Sequence, residues 1–322
     1  MAGSVAERKT QGSQQRMNDY CRNETPKTRV DAIQFENEKR EMNLRIGIIN
    51  LMPRGHEYEE LLISPLRKAN SNIDLKLIRL ANHQYKTWDS VHLEKYYRNW
   101  SDLDLRKELD AVILTGAPVE QLEFEQVEYW EELTDLVTKL RKHQIKILGL
   151  CWGGLALAKT LGIEKRSLEK KLFGIDCLKK LDTDHLITRN ESDIFYAPQS
   201  RNAEIQNETM IEAAMSGVVN LLGFSERGGY TLFESSDGEM LMHLGHPEYS
   251  RERIDFEIAR EKGAGNEQSV INGLLIKNLE WYKHRKNFFE SWIESVESKM
   301  DVKEQQKKNY RKDSSLESGL SL

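Results

Sequence analysis

Three cysteines in 322 residues, Cys21, Cys151 and Cys177, are too few and too scattered for a disulfide framework. No CxxC pair or Cys/His cluster offers zinc-ligand spacing, so no metal is expected. A reducing, cytoplasmic setting follows as the expectation. Long apolar runs are also missing: the longest are about eight residues, against the roughly twenty that a membrane-crossing helix needs. The opening stretch MAGSVAERKTQGSQQR lacks the apolar segment of a secretory signal. Nor does charge of one sign dominate. Forty-seven basic residues face 52 acidic ones for a net charge of -5, so no bulk field draws the chain to nucleic acid or to an anionic membrane. Neither partner is expected; small-molecule substrates are. What is present is a 39% hydrophobic content, enough to bury a sizeable core.

The ends are polar. Residues 1–42 are rich in Gln, Asn, Ser, Lys and Glu and read as a flexible N-terminal arm. Residues 299–322, including KEQQKKNYRKD at 303–313, read as a polar, solvated C-terminal tail. Between them, 43–298 reads as one catalytic domain. Short apolar runs predict strands at 44–51, 73–80, 109–115 and 145–150, with later ones near 194–196, 230–234 and 240–244. Three- and four-residue apolar spacing predicts helices over 55–69, 123–143, 152–161, 249–262 and 271–297. Strands alternating with helices imply an α/β fold, a mostly parallel sheet sandwiched by helices, with its site at the carboxyl ends of the strands.

Two strand ends carry chemistry. Gly149-Leu150-Cys151-Trp152-Gly153 is G-x-C-x-G at a strand-to-helix turn, where glycines admit the strained backbone of an exposed nucleophile. A helix N-terminus there favours thiolate, and the amide of Trp152, the residue after the nucleophile, is placed to bind an oxyanion. The competing reading is a small buried packing residue. Gly245-His246-Pro247-Glu248 sets an imidazole and a carboxylate two residues apart at a second strand end. A cysteine nucleophile needs such a base, and the base an orienting carboxylate.

GLCWGG together with GHPE resembles the class I glutamine amidotransferase architecture, a flavodoxin-like fold. Further segments resemble the homoserine O-acyltransferase family, the homoserine transacetylases and transsuccinylases: NLMP at 50–53, TGAPVE at 115–120, FEQVEYWEEL at 124–133, KKLFG at 170–174, APQSR at 197–201 and HPEY at 246–249. The resemblance spans roughly residues 44–285. It implies a ping-pong acyltransferase in sulfur amino-acid biosynthesis, with Cys151 the nucleophile, His246 the general base and Glu248 its orienting group. It implies that Lys171, Ser200 and Arg260 hold the amino-acid substrate, and that the enzyme acts as a homodimer with no bound cofactor, acyl-CoA being the cosubstrate. At the position of Glu120 the family's acetyl users carry Glu and its succinyl users Gly, which implies acetyl-CoA as donor, because a carboxylate repels the distal carboxylate of succinyl.

This chain departs from the family in three places. After NLMP it continues Arg54-Gly55-His56 where lysines are usual, which puts Arg54 in the oxyanion region. It has Gln199 where histidine is common, and only GAGNEQSVING at 263–273 where a longer insertion occurs. A shortened acceptor wall brings serine, one methylene shorter, into consideration beside homoserine. The alternatives are an O-succinyltransferase, a glutamine amidotransferase or glutaminase built on the same Cys-His-Glu set, and an inactive regulatory relative.

Overall fold

The structure, a computed structural model, describes residues 43–69, 72–263, 265 and 280–318, with side chains up to residue 302. The predicted arm, Cys21, most of the 263–273 loop and the apolar residues Leu274, Leu275 and Leu279 lie outside the described residues.

The first half of the chain builds the parallel part of the sheet from β1 (Leu44–Ile49), β2 (Ile73–Arg79), β3 (Tyr97–Asn99), β4 (Ala111–Leu114) and β5 (Lys146–Leu150). The helices α1 (Glu59–Lys68), α2 (Ser90–Tyr96), α3 (Leu105–Glu108) and α4 (Trp130–Lys142) lie between these strands along the chain. β1 pairs in parallel with both β2 and β4, Ile46 lying beside Leu75 on one side and Ala111 on the other. All four residues of β4 are buried, which is why this strand reads as an unbroken apolar run and not as an alternation. The chain runs outward through β2 and β3 and then crosses back to β4, so β1 and β4 flank the point where strand order reverses. The crevice beyond their carboxyl ends, where Asn50 and Thr115 emerge, is where such sheets place their ligands.

After α5 (Trp152–Thr160) the chain builds the other half: β6 (Arg166–Lys180), β7 (Ile194–Glu204), α6 (Asn207–Met215), β8 (Val219–Ser225), β9 (Gly229–Ser235) and β10 (Met240–His243). Their order beyond β5 is β10, β9, β8, β6, β7; β10 is parallel to β5 and the rest pair antiparallel. Two helices follow, α7 (Arg251–Gly263) and α8 (Glu280–Ser318). On α8, Trp281, Phe288, Phe289, Trp292, Ile293 and Val296 are buried, and the helix packs against β7 and α1. Its apolar face thus completes the core.

Three expectations change. β3, β6 and β8 form where the sequence led to no expectation of a strand. The backbone of α8 stays helical through the segment read as a tail. Cys177, which sequence position suggests is a packing residue, is exposed on β6 because its side chain falls on the opposite face to its buried neighbours Asp176 and Leu178. Among the described residues no helix is long and apolar enough to cross a membrane.

Candidate active site

Four loops leave the carboxyl ends of the adjacent parallel strands β1, β4, β5 and β10 in the interior of the sheet. Cys151 sits at the turn between β5 and α5 with φ 52° and ψ -117°, a conformation that costs a non-glycine residue about 1–3 kcal/mol and persists only where the surroundings hold it. The hold is visible: the Cys151 N–H donates to the carbonyl of His243 at 2.8 Å, tying the elbow to β10. Two glycines let the chains approach. A Cβ on Gly153 would stand 2.4 Å from the Leu114 carbonyl oxygen and 2.7 Å from that of Thr115, and one on Gly149 would stand 2.6 Å from the carbonyl oxygen of Gly153.

The thiol is buried and donates to Oε1 of Glu120 at 3.1 Å. Burial first, and then the carboxylates of Glu120 and Glu248, push its pKa well above the ordinary thiol value; the Arg201 guanidinium acts in the opposite sense. This rise runs against the thiolate that a helix N-terminus at Trp152 favours, because desolvation and a contacting carboxylate act in the opposite sense to a partial positive charge.

The base that the sequence leads one to expect is His246. His246 Nδ1 lies 2.7 Å from Glu248 Oε1, both side chains being buried, which orients the imidazole and leaves Nε2 as its working nitrogen. The His246 ring stacks on Tyr249 with centroids 4.2 Å apart, and its backbone N–H donates to the Pro198 carbonyl at 2.8 Å. Among the described residues the thiol hydrogen of Cys151 goes to Glu120 and not to His246. Tyr58, which sequence reasoning did not single out, donates its hydroxyl to the same Glu248 oxygen and lies 3.4 Å from His246 Nδ1. A tyrosine preceding an amphipathic helix carries no local signal of that role.

Glu120 is locked as well as buried. Its Oε2 accepts from the backbone N–H of Asn202 at 2.6 Å and from Asn202 Nδ2 at 3.2 Å. Beside it on β7, Arg201 is fully buried and donates to the side chain of Gln199 and to the carbonyls of Ala203 and Gly228. Gln199 itself is buried, with its amide nitrogen unpaired. Arg201 and Asn202 are not singled out by the sequence reading, although Arg201 closes the APQSR segment.

Lys171, Ser200 and Arg260 come from β6, β7 and α7. Phe173 of β6 pairs with Ser200, which is half-buried. Lys171 Nζ lies 2.5 Å from Glu261 Oε1, and Arg260 reaches the same oxygen at 3.4 Å as well as Glu257. The two cations are thus brought to one carboxylate. Trp152 is buried against Phe124 and Tyr129 with centroids 6.1 and 5.8 Å apart, so its side chain packs, and its amide is the first of α5. Arg54 adopts a left-handed backbone with φ 49°, donates its N–H to Thr87 Oγ1, and turns an exposed guanidinium to Glu57 at 3.4 Å. The structure does not bring that guanidinium to Cys151. Among the described residues no three His, Cys, Asp or Glu side chains gather as a metal site.

Solved structures share this architecture. A glutamine amidotransferase from Thermotoga maritima superposes with a TM-score of 0.57 at 17% identity, over 80% of this chain and 99% of that one. A glutamine amidotransferase from Methylobacillus flagellatus gives 0.54 at 11%, over 79% and 96%. They establish the class I glutamine amidotransferase-like fold. Sequence relatives are closer. Homoserine O-acetyltransferase of Lachnoclostridium phytofermentans is 33% identical over 269 residues, 80% of this chain and 88% of that protein. Homoserine O-acetyltransferase 2 of Ilyobacter polytropus is 31% identical over 274 residues, 84% and 90%. The family described as Homoserine O-succinyltransferase matches residues 29–301. With the Cys-His-Glu set seated on that fold and the match running through most of its length, the chain belongs to the homoserine O-succinyltransferase family of acyltransferases.

Proposed function

We propose that the chain moves an acetyl group from acetyl-CoA, by way of a thioester on Cys151, to the side-chain hydroxyl of homoserine or of a near relative such as serine. His246 takes the thiol proton as Cys151 attacks the acetyl carbonyl. The carbon–sulfur bond to CoA then breaks, and CoA leaves with the proton that His246 returns. The Trp152 amide at the head of α5 stabilises the tetrahedral oxyanion. In the second half the acceptor hydroxyl gives its proton to His246 and attacks the thioester, and Cys151 leaves as a thiolate that recovers the proton. One thioester replaces another in the first half, so that step is close to thermoneutral and the enzyme has only barriers to lower. Arg260 and Lys171 suit the α-carboxylate of the acceptor, a guanidinium offering two parallel donors. The reaction belongs to the cytoplasm, where thiols stay reduced.

The observation that carries this reading is the contact between the Cys151 thiol and the Glu120 carboxylate. A buried carboxylate beside the nucleophile tolerates a methyl group and repels a second carboxylate, so it favours acetyl over succinyl. The test is release of CoA, followed with a thiol reagent, from acetyl-CoA and from succinyl-CoA in the presence of homoserine, serine or glutamine. Release from acetyl-CoA that requires a hydroxy amino acid is the expected result. Preference for succinyl-CoA overturns the donor, and ammonia released from glutamine overturns the reaction.

A further inference from the structure

Beneath the active-site loops lies a buried chain of polar groups that the reaction above does not use. His243, the last residue of β10, is fully buried. Its Nδ1 accepts the backbone N–H of Gly245 at 3.0 Å, and its Nε2 lies 3.1 Å from His284 Nε2 on α8. His284 Nδ1 in turn lies 3.0 Å from Glu191 Oε1, in the connection between β6 and β7. Asn287 Nδ2 reaches the other Glu191 oxygen at 3.4 Å.

Hydrogen-bond direction fixes the protons. Because Nδ1 of His243 accepts, its hydrogen sits on Nε2 and donates to His284 Nε2. The His284 hydrogen then sits on Nδ1 and donates to the carboxylate. Burial, the first cause, pushes the His243 pKa well below the ordinary imidazole value, with His284 and His246 adding to the effect, so the ring stays neutral. Each buried polar atom in the chain has a partner and the rings have one orientation. The same residue touches both reacting groups' supports. Its carbonyl accepts the Cys151 N–H that holds the nucleophile elbow, and its ring holds the amide immediately before His246.

We propose that His243, held by His284 and Glu191, is a positioning residue that sets the nucleophile and the general base at one spacing. This rests on Cys151 and His246 being the reacting pair. Gly245 shows why the hold matters: a Cβ there would stand 2.6 Å from the Pro198 carbonyl oxygen and 2.6 Å from Gln199 Nε2, so the loop is pressed against β7 with no side chain of its own to anchor it. The ring acceptor two residues upstream supplies the anchor, and α8 supplies the ring's orientation.

The test compares His243→Leu, which removes the acceptor, with His243→Asn, whose Oδ1 can take the same N–H two residues on. His243→Leu lowers kcat by at least about tenfold, since misplacement of about an ångström costs up to about a hundredfold. The KM values for both substrates stay within about twofold. His243→Asn restores kcat to within about threefold of wild type. If His243→Leu does not fold, His243→Val, a β-branched residue suited to a buried strand, replaces it. The alkylation rate of Cys151 by iodoacetamide gives a second readout that needs no substrate: it falls in the apolar variant and returns in His243→Asn. Equal kcat or equal alkylation in the apolar and Asn variants overturns the inference. Absence of acetylated Cys151 in the wild-type protein overturns the acyltransfer reading instead, and leaves the alkylation comparison to decide this one.

Discussion

The thiol of Cys151 rests on a carboxylate: Sγ donates to Oε1 of Glu120 across 3.1 Å, and both side chains are buried. The contact raises the thiol pKa, second only to burial. Neutralising the carboxylate removes part of that rise while leaving the volume, so Glu120→Gln moves the pH dependence of Cys151 alkylation to lower pH. The sign follows from charge: an anion beside the thiol disfavours the thiolate, and its loss favours it. An alkylation curve that stays in place, or moves to higher pH, shows that Glu120 does not act on the thiol by charge.

The same side chain is the one proposed to select the donor. Glu120→Gly opens the space next to Sγ and removes the repulsion felt by a distal carboxylate. The ratio of kcat/KM for succinyl-CoA over acetyl-CoA rises by about tenfold or more, since two like charges about 4 Å apart repel by about 1 kcal/mol in water and more near a protein surface. Steady-state rates with the two donors check it, and an unchanged ratio removes Glu120 from donor selection.

Why some of this was legible and some not has a physical explanation. β1, β4 and β5 are buried on both faces and read as continuous apolar runs. The elbow is legible because close approach demands glycine at 149 and 153. β6 hid because its buried residues are Leu172–Asp176 and Leu178 alone, while most of its charged residues at either end lie in or near solvent. β8 is interrupted by Gly223, and α6 is short, with Met215 exposed. Tyr58 hid for another reason. Its partner Glu248 is 190 positions away, and no local pattern marks a tertiary contact.

Gly153 admits no side chain. Gly153→Ala drives a methyl group into two main-chain carbonyls, which cannot rotate away as a flexible side chain would. Overpacking of that kind costs about 1–3 kcal/mol. At this chain length each kcal/mol lowers Tm by about 2–4 °C. Thermal unfolding measures the loss, and acetylation of Cys151 falls with it because the elbow shifts. A Tm equal to that of wild type means that the α5 entrance is looser than the structure has it.

Tyr58→Phe deletes one hydroxyl and keeps the ring. Glu248 loses a donor and keeps His246, whose ring is still stacked on Tyr249. A hydrogen bond to a charged group is worth about 1.5–3 kcal/mol; where it serves to hold the catalytic pair, kcat falls by roughly tenfold to a hundredfold. KM for acetyl-CoA stays near the wild-type value, since the hydroxyl faces the carboxylate and not the acyl carbon. A fall in Tm with kcat intact assigns Tyr58 to packing alone.

Glu261 occupies both cations proposed for the acceptor. Lys171 and Arg260 converge on its Oε1, and Arg260 also pairs with Glu257, so an incoming α-carboxylate competes with carboxylates already in place. Arg260→Lys keeps the charge and loses the two-pronged geometry; Lys171→Met keeps length and apolar stem and loses the charge. Each raises KM for the hydroxy amino acid by about tenfold, a loss of about 1.4 kcal/mol of binding. Neither changes the rate at which acetyl-CoA labels Cys151, because that half-reaction precedes acceptor binding. Pre-steady-state labelling followed by intact mass separates the two halves. Slower labelling in either variant places these residues at the donor and removes them from the acceptor pocket.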